Sequence, residues 1–252
     1  MALGKMVTVA LSCSALLLSA CSQKPLSRIN YYIGSTGESA SLAASAQTGS
    51  ISGPISAGLV LINDTSVSGA TTVLSDKATA FLTQQVRGRV EGATPIRIAQ
   101  VLTVASASQT QGPEGLAKLA REQGLTHLLV AVFSSDESEI PTYLPLTGDP
   151  EQGGSRPGVP GFEAVNYALA ELALVDSRNG QVVARADGRA WARLNRLYVP
   201  KVSNSYPVIH RSLRVAPIYP PETEAKDVLR SLAADEALEQ AAVRLHEAWA
   251  KS

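Results

Sequence analysis

The sequence predicts an α/β fold: a mixed β-sheet with helices packed on it, in the order β-α-β-α-β-β-β-α. Three observations predict it. Short apolar runs alternate with amphipathic stretches through the first half of the chain, the pattern of strands joined by crossover helices. An Asn-Gly turn joins two strand-like segments in the second half. A long stretch with apolar residues at helical spacing closes the chain.

The chain opens MALGKMVTVALSCSALLLSACSQ. One cation, Lys5, precedes an apolar segment from Met6 to Ala20. A membrane-spanning helix needs about 20 apolar residues to cross roughly 30 Å of hydrocarbon, so this segment is too short. It has the length of a signal-peptide core, with small residues at the cut site. Leu18, Ser19, Ala20 and Cys21 resemble the lipobox of bacterial lipoproteins. The resemblance implies cleavage before Cys21, a diacylglycerol thioether on it and a third acyl chain on the new amino terminus. Several acyl chains anchor stably where one is marginal. Ser22, and not an aspartate, follows; by resemblance to lipoproteins of two-membraned bacteria, this implies an outer-membrane address. The domain is expected to face the periplasm, with the cell exterior as the open alternative. Cys13 lies in the removed segment, which leaves no second cysteine for a disulfide.

Residues 1–20 are therefore expected as signal peptide, 21–56 as a flexible tether rich in Ser, Ala, Gly and Thr, and 57–252 as one domain. A short helix through SASLAASAQ is an alternative inside the tether. Tyr31 and Tyr32 suit either the membrane surface or packing on the domain.

GLVLIND, Gly58 to Asp64, reads as a buried strand. Ser75 is placed to cap the next helix, with Asp76 in its first turn and Ala78, Phe81, Leu82, Gln85 and Val86 along one face. Gly92 ends it, and Ile96 to Val104 form the second strand. Pro113 opens the second helix, which carries Leu116, Leu119 and Ala120 and stops at Gly124. THLLVAVF, Thr126 to Phe133, is apolar on both faces, as a covered central strand requires. A Pro-rich loop is expected over 136–162 and a fourth strand over Asn166 to Val175.

The fifth strand, Val182 to Leu194, splits into two faces. Val182, Ala184, Ala186, Gly188, Ala190 and Ala192 form a small-residue side against which a helix packs closely. Arg185, Asp187, Arg189, Trp191 and Arg193 form the other, which should meet water or a partner. With Tyr206, from a second long loop over 198–221, they make up the candidate partner surface. A helix over 222–251 closes the domain.

The helix-strand unit GLAKLAREQGLTHLLVAVF, the hairpin ALAELALVDSRNGQVVARADGRAWARL and the closing DEALEQAAVRLHEAW resemble periplasmic lipoproteins with an anticodon-binding-like domain. That group includes the curli-secretion lipoprotein, the Pel-export lipoprotein, the activators of penicillin-binding proteins and the amino-terminal domain of the Tol-Pal propeller protein. The resemblance covers residues 57–250; a looser one is to rhombotarget lipoproteins. The two Pro-rich loops depart from the group. Val208 to Ala216, with His210, Arg211 and Arg214, is too short and too charged for a transmembrane hairpin of the curli kind.

Chemistry-bearing motifs are few. Lys+Arg and Asp+Glu both number 22, which leaves no basic excess to hold nucleic acid. His127, His210 and His246 fall on a strand, a loop and a helix without ligand spacing, so no metal or other cofactor is expected. GSTGES lacks the Gly-Lys of a phosphate loop, and neither a Gly-x-Ser-x-Gly elbow nor a Ser-x-x-Lys pair occurs. Asp64 is read as capping the turn DTSVSG, and the Arg185/Asp187/Arg189 row as an exposed charge ladder. The expectation is a non-enzymatic, lipid-anchored docking or accessory protein of the envelope, with no catalytic residue and unidentified envelope proteins as partners. The alternative is one subunit of a homo-oligomeric ring in an export apparatus.

Overall fold

Two neighbouring strands that are apolar on both faces decide the architecture. In this computed structural model, which describes residues 25–34, 54–66, 74–102, 112–145, 158–199 and 205–250, β1 (Ile55–Asn63) and β3 (His127–Leu144) pair in parallel. Successive side chains on a strand go to opposite faces. Leu59, Leu129 and Ala131 enter one core, while Val60, Ile62, Leu128 and Val130 enter a second. A sheet buried on both sides needs a cover on each.

The first cover comes from α2 (Asp76–Ala93) and α4 (Ala225–Ala250), the second from α3 (Gly112–Glu122) and a short helix, α1 (Ile29–Ile33). The sheet is completed by β2 (Ile96–Leu102), β4 (Val159–Asp176), β5 (Val182–Leu197) and β6 (Val208–Arg211). Its order is β2-β1-β3-β4-β5-β6. β1 lies parallel to β2 and β3; the pairs from β3 onward are antiparallel. The fold is thus the expected mixed sheet with helices, enlarged by one strand and one helix.

Local signals act as their chemistry dictates. The Ser75 hydroxyl accepts the Ala78 N–H at 3.1 Å and caps α2. Gly124 adopts φ +66° after α3, the left-handed conformation that releases the chain into β3. Gly180 takes φ +71° in the β4–β5 turn. There the Arg178 guanidinium forks onto Asp176, with bonds of 3.0 and 2.6 Å, and holds that carboxyl below its usual value.

Four expectations need correction. Residues 25–34 belong to the stretch expected as flexible tether, yet they form α1 and its approach, because Ile29, Tyr32 and Ile33 bury their side chains in the second core. Both ends of the loop expected over 136–162 are strand: β3 continues to Leu144 and β4 begins at Val159. The polar run and Pro141 suit an edge, since β1 ends at Asn63 opposite Phe133. The loop over 198–221 contains β6, so His210 lies in a strand. Finally, Phe81 is exposed; the buried stripe of α2 is Ala78, Leu82, Val86 and Val90, and the helix runs past Gly92 to Ala93, with Thr94 as its C-cap. The signal peptide 1–20, Cys21 and residues 35–53 of the expected tether lie outside the described residues.

The split faces of β5 explain how α4 sits. Ala184, Ala186, Ala190 and Ala192 are buried under it, and at Gly188 the helix backbone comes so near that an added Cβ would meet the Ala237 carbonyl oxygen at 2.0 Å. The oxygen is backbone and a Cβ is fixed rigidly by its own backbone, so neither moves without shifting its element. Gly188→Ala should therefore destabilise the domain by about 1–3 kcal/mol, the usual cost of overpacking, read as a lower urea midpoint. An unchanged midpoint would show that α4 does not sit this close.

Candidate functional site: a carboxylate clamp on the amino-terminal segment

β4 is apolar through YALAELALV except for one residue, Glu171. Its side chain points to the second face and is buried. A buried carboxylate is tolerable only when its oxygens are hydrogen-bonded. Glu171 finds its donors in a segment about 140 residues earlier. Its Oε1 accepts the Ser27 hydroxyl at 2.5 Å, and its Oε2 accepts the backbone N–H groups of Arg28 at 2.7 Å and Ile29 at 3.0 Å. These N–H groups stand at the start of α1, where a helix has unsatisfied donors. Arg28, the residue at the cap position, supplies no side-chain bond to them.

Asp64, just after β1, completes the hold. Its Oδ1 accepts the N–H of Ser66 at 2.8 Å, as expected of a turn cap. Its Oδ2 accepts Arg28 Nε and the Tyr32 hydroxyl, each at 3.0 Å. Burial alone would raise the Asp64 carboxyl; bonds from Ser66, Arg28 and Tyr32 outweigh that and hold it below its usual value. Burial, reinforced by the Asp64 charge, pushes the Tyr32 phenol well above its usual value.

The charged face of β5 supplies the third side. Arg185 Nη1 donates to Asn30 Oδ1 at 2.6 Å, and its Nη2 reaches Ser27 Oγ at 3.2 Å and Glu171 Oε1 at 3.3 Å. Arg189 Nη1 donates to the Pro25 carbonyl at 3.0 Å. Asp187 lies 3.5 Å from Arg244, the Arg193 guanidinium sits 5.4 Å above the Trp191 ring, and Arg193 Nε is 3.6 Å from Glu163. The five β5 residues of the candidate surface thus share a face, and the first thing that face meets is this chain's own amino-terminal segment. Tyr206 stands apart, donating its hydroxyl to the Pro145 carbonyl at 2.7 Å beyond the end of β3.

Sequence reading missed Glu171, Ser27, Arg28 and the second role of Asp64. One signal was available: a lone carboxylate inside an apolar strand demands a partner. The identity of that partner was not readable, because it arrives from across the fold.

Chemically, the clamp binds peptide. Its carboxylate oxygens are taken up by donors from residues 27–32, by Ser66 and by Arg185. Among the described residues, no group of three or more His, Cys, Asp or Glu side chains is placed to hold a metal ion. Burial lowers His127, which lies 3.0 Å from the Thr126 hydroxyl, and His246 meets the Ala93 carbonyl.

No family model and no curated protein matches the chain. Solved structures similar to it include the PelC dodecamer from Paraburkholderia phytofirmans, at 13% identity and TM-score 0.31, covering 77% of this chain and 88% of that one. A variant dodecamer of the same protein is 15% identical, with TM-score 0.28 and coverage of 75% and 89%. A hypothetical protein, CT253 from Chlamydia trachomatis, is 9% identical, with TM-score 0.34 and coverage of 77% and 99%.

Two outcomes are expected. Glu171→Ala removes the acceptor of two backbone N–H groups; bonds to a charged partner contribute about 1.5–3 kcal/mol. Amide exchange at Arg28 and Ile29 should accelerate while the sheet amides stay protected, and unchanged exchange would contradict the clamp. For Asp64, the lowered folded value means its contribution is fully present above the unfolded value of about 3.9 and is lost as pH falls through the folded one. Asp64→Asn should therefore lower stability at neutral pH and flatten the acid limb of a urea-midpoint profile below about pH 4.

Proposed function

We propose that this chain is a non-enzymatic lipoprotein, anchored through Cys21 in the outer membrane and facing the periplasm, whose domain docks or assists other envelope proteins. The observation that carries the reading is the lipobox-like Leu18-Ser19-Ala20-Cys21, with Cys21 four residues before Pro25, which among the described residues is the first that the fold holds. The clamp supports it. An anchor transmits position to a domain only if the chain next to it is fixed, and here that chain is held by two buried carboxylates and two arginines. The far end of the sheet offers a surface for a partner. Ile140 and Tyr143 on β3 and Tyr198 and Val199 after β5 are large, apolar and exposed there, a composition associated with protein contacts.

The second reading is a closed ring of identical subunits in an export apparatus. Rings need a head-to-tail surface that closes by symmetry. The mass of the native, detergent-extracted particle separates the two. A monomer, or a heteromer with an unrelated chain, is the expected outcome. A single large multiple of the protomer mass would replace the docking reading with the ring.

A further inference from the structure

The clamped segment has two sides, and only one has been accounted for. Ile29, Tyr32 and Ile33 face the second core. On the other side Leu26 is 68% exposed and Tyr31 47% exposed, with the Arg28 guanidinium 5.0 Å from the Tyr31 ring centre. We infer that Leu26, Tyr31 and Arg28 form a membrane-contact patch that rests in the headgroup zone of the bilayer into which Cys21 is acylated, so that the clamp holds the second face of the sheet toward that bilayer. The inference rests on the lipid anchor at Cys21.

Covalent geometry carries it. Four peptide steps separate Cys21 from Pro25. At no more than about 3.6 Å per residue they span at most about 14 Å, whatever their conformation. Pro25 is pinned by Arg189, and Ser27 by Glu171 and Arg185. The lipid is thus confined to the neighbourhood of Leu26. Were residues 25–33 not held on the domain, the leash would extend to Pro54, just before β1, and a flexible chain of about 33 residues has a root-mean-square span on the order of 30 Å. The patch has the chemistry of the interface it would meet: an aliphatic side chain, a tyrosine with an apolar ring and a wet hydroxyl, and an arginine whose stem tolerates apolar surroundings.

The test uses the full, acylated protein in phosphatidylethanolamine–phosphatidylglycerol vesicles. A nitroxide is placed at Leu26→Cys or, as a control, at Tyr143→Cys on the exposed part of β3; the acylated Cys21 is blocked from labelling. The label at position 26 should be several-fold less accessible to an aqueous nickel relaxant than the control, and more accessible to oxygen. Inserting a ten-residue Gly-Ser segment between Ser22 and Gln23 leaves the clamp untouched and should restore aqueous access. Equal access at the two positions in the acylated, uninserted protein overturns the inference. Protection of position 26 that appears only in native membranes, and not in vesicles, also overturns it, in favour of a protein occupant. A mature chain that carries no acyl chains by mass and stays in the vesicle supernatant overturns the anchor reading itself, a result distinct from the other two.

Discussion

The desolvation of one carboxylate, Glu171, is the constraint on which the amino-terminal half of the second face depends. Placing a charge in the middle of an apolar strand is unfavourable unless donors are brought to it. The donors are two backbone N–H groups and a hydroxyl of residues 27–29, with the Arg185 guanidinium. A five-residue helix has almost no stability of its own. Here it persists because an acceptor that must be satisfied meets N–H groups that would otherwise be orphaned, and because Ile29, Tyr32 and Ile33 fill the space beside α3. The same helix packs against α3 and β4 and, with α3, closes the second face of the sheet.

The opposite face repeats the device. Glu236, buried on α4, accepts the Ser212 hydroxyl and the Leu213 N–H, each at 3.0 Å. Ser212 and Leu213 leave β6, the shortest strand and the edge of the sheet. On each side, then, a glutamate from a long regular element fixes an irregular peripheral segment through its backbone N–H. Backbone donors are indifferent to side-chain identity, so the hold sets the path of the peptide and leaves its outward side chains free to vary.

Much of the frame was legible in the sequence. Val130 and Val132 alternate with Leu129 and Ala131 in an unbroken apolar run, and such a run has one stable environment, the doubly covered centre of a sheet. The alanines and Gly188 of β5 likewise announced a closely packed helix. The misreadings share a cause. Asp136, Glu137 and Glu139 read as loop because strand is usually inferred from apolar alternation, whereas an edge strand takes its pairing from the backbone of its neighbour and its side chains from a distant helix: Arg230 reaches Glu137 at 2.7 Å and Lys226 reaches Glu139 at 2.6 Å. The clamp was hidden for the same reason. Ser27 and Arg28 sit in a polar stretch whose meaning depends on where residues 171 and 185 arrive.

The clamp also fixes an order of events. Its bonds join residues 144 and 158 positions apart, Ser27 to Glu171 and Arg185 to Ser27. Contacts of such sequence separation form late, after the intervening chain has been organised. A chain emerging amino terminus first can make the short-range bonds of Arg28 and Tyr32 to Asp64 early, but Ser27 and Asn30 wait for β4 and β5. Residues 27–30 thus reach their full set of partners on the second face only when the β4–β5 hairpin is complete.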